Sequence, residues 1–376
     1  VLASPVTRRL SHGYVALAHA VTPKGWRGVL RGDFRKAGLA VPLRVGVAVT
    51  LVFVAGGVFG HRDVAGFAAL GALVSAFCRP DPYPVRAGRL AVLGIGITAA
   101  IGIGAVLGAT GSGVVVSTLV ISLLAGAAAY LMWALHIVGP GAVVFVFGAV
   151  GGQAFAHDAG DVVRAVTVTA AGAVLGAVAA LAPWLLQKLR RADGTTQPET
   201  ARREPLRVTL TRAPHRALLA RSARITVAGA VAAAAAMGLG LDHPMWAAMG
   251  AVAAMQGVGY HVTVHRGVQR LLGNVGGGVL AAGLLALPLG YWGAVVAIIV
   301  FQVAAEVAST VNYALTSLAV TPMALLLTGL GSGLAPGAAV DRVFDTAVGI
   351  VVGIGVAAIT ISGAEVEHLR RGAAAV

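Results

Sequence analysis

Long apolar runs separated by short polar or Gly/Pro breaks fill the chain over residues 38–186 and again over 223–362. Within these runs polar and apolar positions do not alternate with a period of two, so barrel strands are not indicated and α-helices are the natural spanning element. Crossing ~30 Å of hydrocarbon takes about 20 apolar residues. On that length the pattern predicts twelve spans, near 38–60, 64–78, 90–109, 113–135, 137–156, 162–186, 223–241, 245–259, 268–287, 291–309, 313–331 and 341–362. The spans 64–78 and 245–259 are short and hold matching places in the order. Paired interruptions of this kind point to a substrate path, because broken helices turn backbone dipoles toward a cavity; a helix continuing one turn into its loop gives the same pattern.

The order repeats at a spacing near 180 residues. Gly66-Phe67-Ala68-Ala69-Leu70-Gly71 matches Met245-Trp246-Ala247-Ala248-Met249-Gly250, and Trp133-Ala134-Leu135 matches Tyr313-Ala314-Leu315. Asp161 and Asp341 open the last span of each half, and the pair Gly172/Gly176 recurs as Gly349/Gly353 at the spacing that lets helix backbones approach closely. The expected fold is therefore all-α and polytopic, about twelve transmembrane helices as two parallel six-helix repeats, 38–186 and 223–362. An even number of spans per half gives parallel repeats about an axis along the membrane normal. A basic tail (1–37), a polar linker (187–222) and a short C-terminal tail (363–376) complete the division, all three expected on the cytoplasmic side.

Composition agrees with this pattern. The chain is 58% hydrophobic and 11% charged, with a mean hydropathy of +0.87, outside the range of a soluble domain. A formal net charge of +14 raises the question of nucleic acid, but the placement of the cations answers it. Of 28 Lys and Arg, only Arg62, Arg164 and Arg342 fall in segments that would share the outer side. By the positive-inside rule both termini are cytoplasmic, and lipid headgroups rather than nucleic acid are the expected partners of the basic excess. Cys78 is the single cysteine and implies no internal disulfide. The string ALAHA in the basic N-terminal segment lacks the apolar core of a cleaved signal.

Candidate chemistry is sparse. Glu306 sits in an apolar run, seven residues before Tyr313, roughly 10 Å deeper if that tyrosine marks the interface. A charge at such depth costs about 2.5–3.5 kcal/mol, so a partner is expected, with Arg270 the candidate. Such a pair either fixes packing or serves as a titratable, substrate-coupling group. Its counterpart in the first half, near Gly126, has no acid. Arg86 and Arg89, with Arg266 and Arg270, would form a cationic ring at the inner mouth of a pathway, or act only as topology determinants. Asn312, Gln256 and Asn274 either bind substrate or bond between helices. His261 and His265 have helical spacing but too few neighbouring ligands for a metal. GIGITA at 94–99 lies in a span and not after a strand, so it is no dinucleotide site, and no HExxH, GxSxG or P-loop is present. No catalytic residue, cofactor or metal is expected, and the chain does not read as an enzyme.

The strings DHPMWAAMGAV (242–252), HRGVQRLLGNVGGG (265–278), NYALTSLAVTPMALLL (312–327) with Glu306, and DRVFDTAVG (341–349) resemble the fusaric acid resistance (FUSC) family. That family includes aromatic acid exporters and is distantly similar to the plant aluminium-activated malate channels. The likeness is clearest over 224–362 and weaker over 44–185. It implies a six-helix unit used in pairs around a pathway for organic anions, and Arg266, Arg270, Glu306, Asn312, Tyr313, Thr321, Pro322, Arg342 and Asp345 fall on its motif positions. The larger exporters carry substantial cytoplasmic domains between and after their membrane halves, a pattern from which this sequence is expected to depart. The expected function is export of small organic anions or aromatic acids across the cell membrane, driven by the proton gradient. A passive anion channel and a non-transporting membrane scaffold are the alternatives. Expected partners are the organic anion and membrane lipid, with self-association left open.

Overall fold

In the computed structural model, residues 5–22, 26, 28–79, 81–190, 206–257, 259–333 and 335–374 are described. They contain helices and no strand. Helix α1 (Pro5–Val21) precedes six apolar helices: α2 (Ala40–Val58), α3 (Ala65–Ala76), α4 (Tyr83–Ala109), α5 (Val114–Ala134), α6 (Val143–Phe155) and α7 (Ala159–Arg190). A short α8 (Leu206–Thr211) leads into six more: α9 (His215–Gly238), α10 (Pro244–Met255), α11 (Tyr260–Leu285), α12 (Gly290–Ala308), α13 (Tyr313–Ser332) and α14 (Ala338–Ile359). Helix α15 (Gly363–Ala374) follows.

Among the described residues, nine helices are long and apolar enough to cross a membrane, so the protein is a multi-pass membrane protein. Three apolar helices are too short to cross a full bilayer on their own: α3, α6 and α10. Shortness was expected at 64–78 and 245–259 but not at 137–156, which is helical only from Val143. Left-handed backbone at His136 (φ 50°) and Gly141 (φ 100°), with Gly139-Pro140 between them, holds the preceding stretch out of the helix.

Three further boundaries differ from expectation. The N-terminal tail is largely helical, because α1 packs on α11, α14 and α15. The C-terminal tail forms α15. The linker is helical at its C-terminal end, where α9 begins at His215, and its residues 191–205 lie outside those described.

Glycine brings the backbones of α3 and α7 together, and again those of α10 and α14. A Cβ on Gly172 would overlap the Ala68 carbonyl, and one on Gly349 would overlap that of Ala247. From the other side, Gly71 faces the Thr169 carbonyl and Gly250 that of Thr346. Each contact in one half has a counterpart about 180 residues on. The helix pairings match as well: α4 packs on α6 and α7 as α11 packs on α13 and α14. Between the halves the contacts are reciprocal. The fourth helix of each meets the first of the other (α5 with α9, α12 with α2), and the fifth meets the second (α6 with α10, α13 with α3). Reciprocity of this kind characterises a two-fold relation.

Candidate functional site

A cavity lies where the two halves face each other. The first half contributes apolar side chains, among them Val49, Phe53, Leu73 and Val144. The second half adds Met249, Ile298 and Met323, and three polar groups, Arg270, Gln302 and Arg342. Arg270 on α11 and Arg342 on α14 are 4% and 3% exposed. Neither takes part in the ion pairs of the described residues, and the Nε of each has no hydrogen-bond partner. Arg342 lies 5.0 Å from the centroid of the Trp246 ring, a cation–π contact that partly offsets its desolvation. Two buried guanidinium groups in an apolar chamber can recognise a carboxylate by directed hydrogen bonds where little water competes.

Helical geometry explains why these two arginines meet. Asn274, one turn beyond Arg270, donates to the Arg342 carbonyl (3.0 Å) and accepts from the Thr321 hydroxyl (2.9 Å). Thr321 also bonds the Ser317 carbonyl, and Ser317 donates to the Arg270 carbonyl (3.1 Å). One buried amide thus fixes α11, α13 and α14 at the level of the cavity. Gly273 and Gly277 leave no room for a Cβ against α13 near Ser317, Thr321 and Pro322, which keeps those helices close.

Glu306 does not face Arg270. It lies in the last turn of α12, 5% exposed, where Arg79 from the first half forms an ion pair with it and Gln302 donates to its Oε1 (3.0 Å). Arg79 also reaches the Glu306 carbonyl and the Ser309 hydroxyl, each at 3.4 Å. The helix ends two residues later, at Ala308, so it does not run unbroken from Glu306 to Tyr313. The carboxylate's partner is thus a loop cation at the seam of the halves.

The four-arginine ring is not formed. Arg86 donates to the carbonyls of Arg79 (2.6 Å) and Asp81 (2.9 Å), and Arg89 pairs with Asp81 at 2.8 Å, so both organise the loop between α3 and α4. Arg266 lies 4.1 Å from the Tyr313 ring centroid and bonds the Ala253 carbonyl at 3.3 Å. Asn312 caps α13 through the Ala314 N–H (2.7 Å) and donates to the carbonyls of Val29 (3.0 Å) and Arg31 (2.9 Å). The Gln256 amide, oriented so that its oxygen accepts, meets the N–H groups of Ala142 (3.2 Å) and Val143 (3.0 Å), capping α6 from the opposite half. These amides bond helices and segments together. Asp345, fully buried one turn from Arg342, has no hydrogen-bond partner on either carboxylate oxygen.

Sequence reasoning placed Arg342 only on a family motif and gave it no role in a cavity. The signal was available, as it is one of three cations in segments assigned to the outer side and it follows Asp341 at the start of a span. His261 has another setting than its helical spacing suggested: it bonds His19 of α1 at 2.8 Å, and its ring centroid lies 4.2 Å from that of His265.

No curated protein and no solved structure matches the chain. Residues 226–356, which hold α10 to α13 and most of α9 and α14, match the family described as fusaric acid resistance protein-like. The match falls within the second half, with Arg270 and Arg342 both inside the matched segment.

Proposed function

We propose that the protein moves small organic anions out of the cell through the chamber between its two halves, read as parallel repeats with both termini in the cytoplasm. The observation that carries this reading is the pair of buried arginines, Arg270 and Arg342, which form no ion pair among the described residues although Asp345 lies one turn from Arg342, in a cavity lined besides them by apolar groups and Gln302. Holding a cation in a membrane interior costs about 2.5–3.5 kcal/mol, an outlay that a transported anion would offset. The match of residues 226–356 to the family described as fusaric acid resistance protein-like supports it. A scaffold held by helix packing alone has no use for such a chamber.

The membrane potential already favours export of an anion by about 2.3 kcal/mol per charge per 100 mV; the proton gradient is the further source of energy in this reading. The test is reconstitution in proteoliposomes with benzoate as the transported compound. Accumulation against its gradient, collapsed by a protonophore, is the expected result. Arg270→Gln and Arg342→Gln should each lower the rate at least tenfold, since a charge-assisted hydrogen bond contributes about 1.5–3 kcal/mol. An anion current indifferent to protons would leave a channel in place of the exporter, and no flux would end the transport reading.

A further inference from the structure

A second cavity adjoins the first toward the loop between α2 and α3. Its wall includes Phe67 and Phe155, whose rings meet edge-on at 5.0 Å, and Arg62 and Asp63 stand at its rim. The two cavities share three lining residues, Leu70, Phe147 and Leu327, from α3, α6 and α13. No polar side chain is shared. An ion passing from the arginine-lined chamber to the outer vestibule therefore crosses a ring that offers it nothing in exchange for its water. Constrictions of this sort close by dewetting without being sealed sterically.

The repeat gives these residues a common origin. Phe147 and Leu327 are 180 residues apart, the register in which Trp133 matches Tyr313, and Leu70 matches Met249, which also lines the inner chamber. Their helices are those that meet reciprocally across the halves, α6 with α10 and α3 with α13. Equivalent positions in two related halves converge only around the axis that relates them, which is where a single pathway has to run.

We propose that Phe147 and Leu327, backed by Leu70, form the outer gate between the arginine-lined chamber and the aromatic vestibule. The proposal rests on the transport reading for its direction of flow, but its test does not use transported substrate. Single cysteines are placed at Gly151 in the vestibule and at Met323 in the chamber, and intact cells are treated with a membrane-impermeant methanethiosulfonate. The chain with only its buried Cys78 provides the baseline. Gly151→Cys should label and Met323→Cys should be protected, by at least tenfold in rate. Adding Phe147→Ala or Leu327→Ala should remove that protection, whereas Phe147→Leu should keep it. Equal labelling of the two sites in the unaltered gate, or protection that survives both alanine variants in folded, membrane-inserted protein, would overturn the gate. A gate that responds in a protein showing no anion flux would leave this inference standing and sink only the transport reading.

Discussion

Glu306 shows how far a single residue can be read from sequence. Its need for a partner follows from the cost of a buried charge, and the structure supplies one. The identity of that partner did not follow, because Arg79 is 227 residues away and no local spacing connects them. Arg270, expected as the partner for its place one turn past Arg266 at the start of a span, lines the chamber instead. The Arg79–Glu306 pair ties the halves at one end of the bundle, so Glu306→Gln should destabilise by roughly 1–3 kcal/mol, the cost of leaving a partly buried cation without its counter-charge. Thermal unfolding in detergent would measure it. Adding Arg79→Met should recover most of the loss in a double-mutant cycle, whereas additive losses would mean that the two side chains act separately.

At the scale of elements, helix α1 was the least legible, since the pattern of a basic tail gives no sign of what it docks against. It packs where α11, α14 and α15 converge, with His19 against His261 and with Glu365 nearby. Glu365 caps two helices: its carboxylate accepts from the Ser362 N–H (2.9 Å) and hydroxyl (2.7 Å) at the start of α15, and from the Tyr260 N–H (3.0 Å) at the start of α11. Burial pushes its acidity toward a higher pKa, but these hydrogen bonds, with Arg224 close by, outweigh it and hold the group below its usual value of 4.5. Burial foremost, and then His265, lowers His19 from its usual 6.5. Both shifts have the same consequence in acid. The stability due to His19 is complete above pH 6.5 and is lost as pH falls toward its depressed folded value; that due to Glu365 is complete above about pH 4.5 and is lost below it. The protection of α1 amides relative to their intrinsic exchange, which itself slows in acid, should therefore fall as pH is lowered from 7 to 5. In His19→Gln that fall should be much reduced, and an unchanged pH profile would show that the corner does not respond through this imidazole.

For the whole molecule, the pattern of apolar runs carried the architecture well. Twelve apolar helices follow in the expected order, and Gly172, Gly176 and Gly349, matched in sequence, sit at close backbone contacts, as do Gly104 and Gly273, which the matching did not single out. What the pattern could not carry was length. Residues 137–156 are apolar throughout, yet positive φ at two positions shortens the helix to Val143–Phe155. The matching glycine contacts of the two halves also yield a paired prediction. Gly172→Ala and Gly349→Ala each drive a methyl group into a facing carbonyl, and each should cost at least ~1–3 kcal/mol, the usual range for overpacking. Similar falls in the two unfolding temperatures are expected; a Gly349→Ala chain as stable as the parent would show that α10 and α14 can separate without loss.

The chamber's polarity is lopsided although its walls come from helices that pair in the same order in both halves. Both cations belong to the second half, and the facing wall from the first half is aliphatic and aromatic. A guest held there would have to lie with its head toward α11 and α14 and its greasy end toward α2 and α3. Molecules charged at one end only would suit such a room, while a dicarboxylate would press its second charge against Val49 and Phe53.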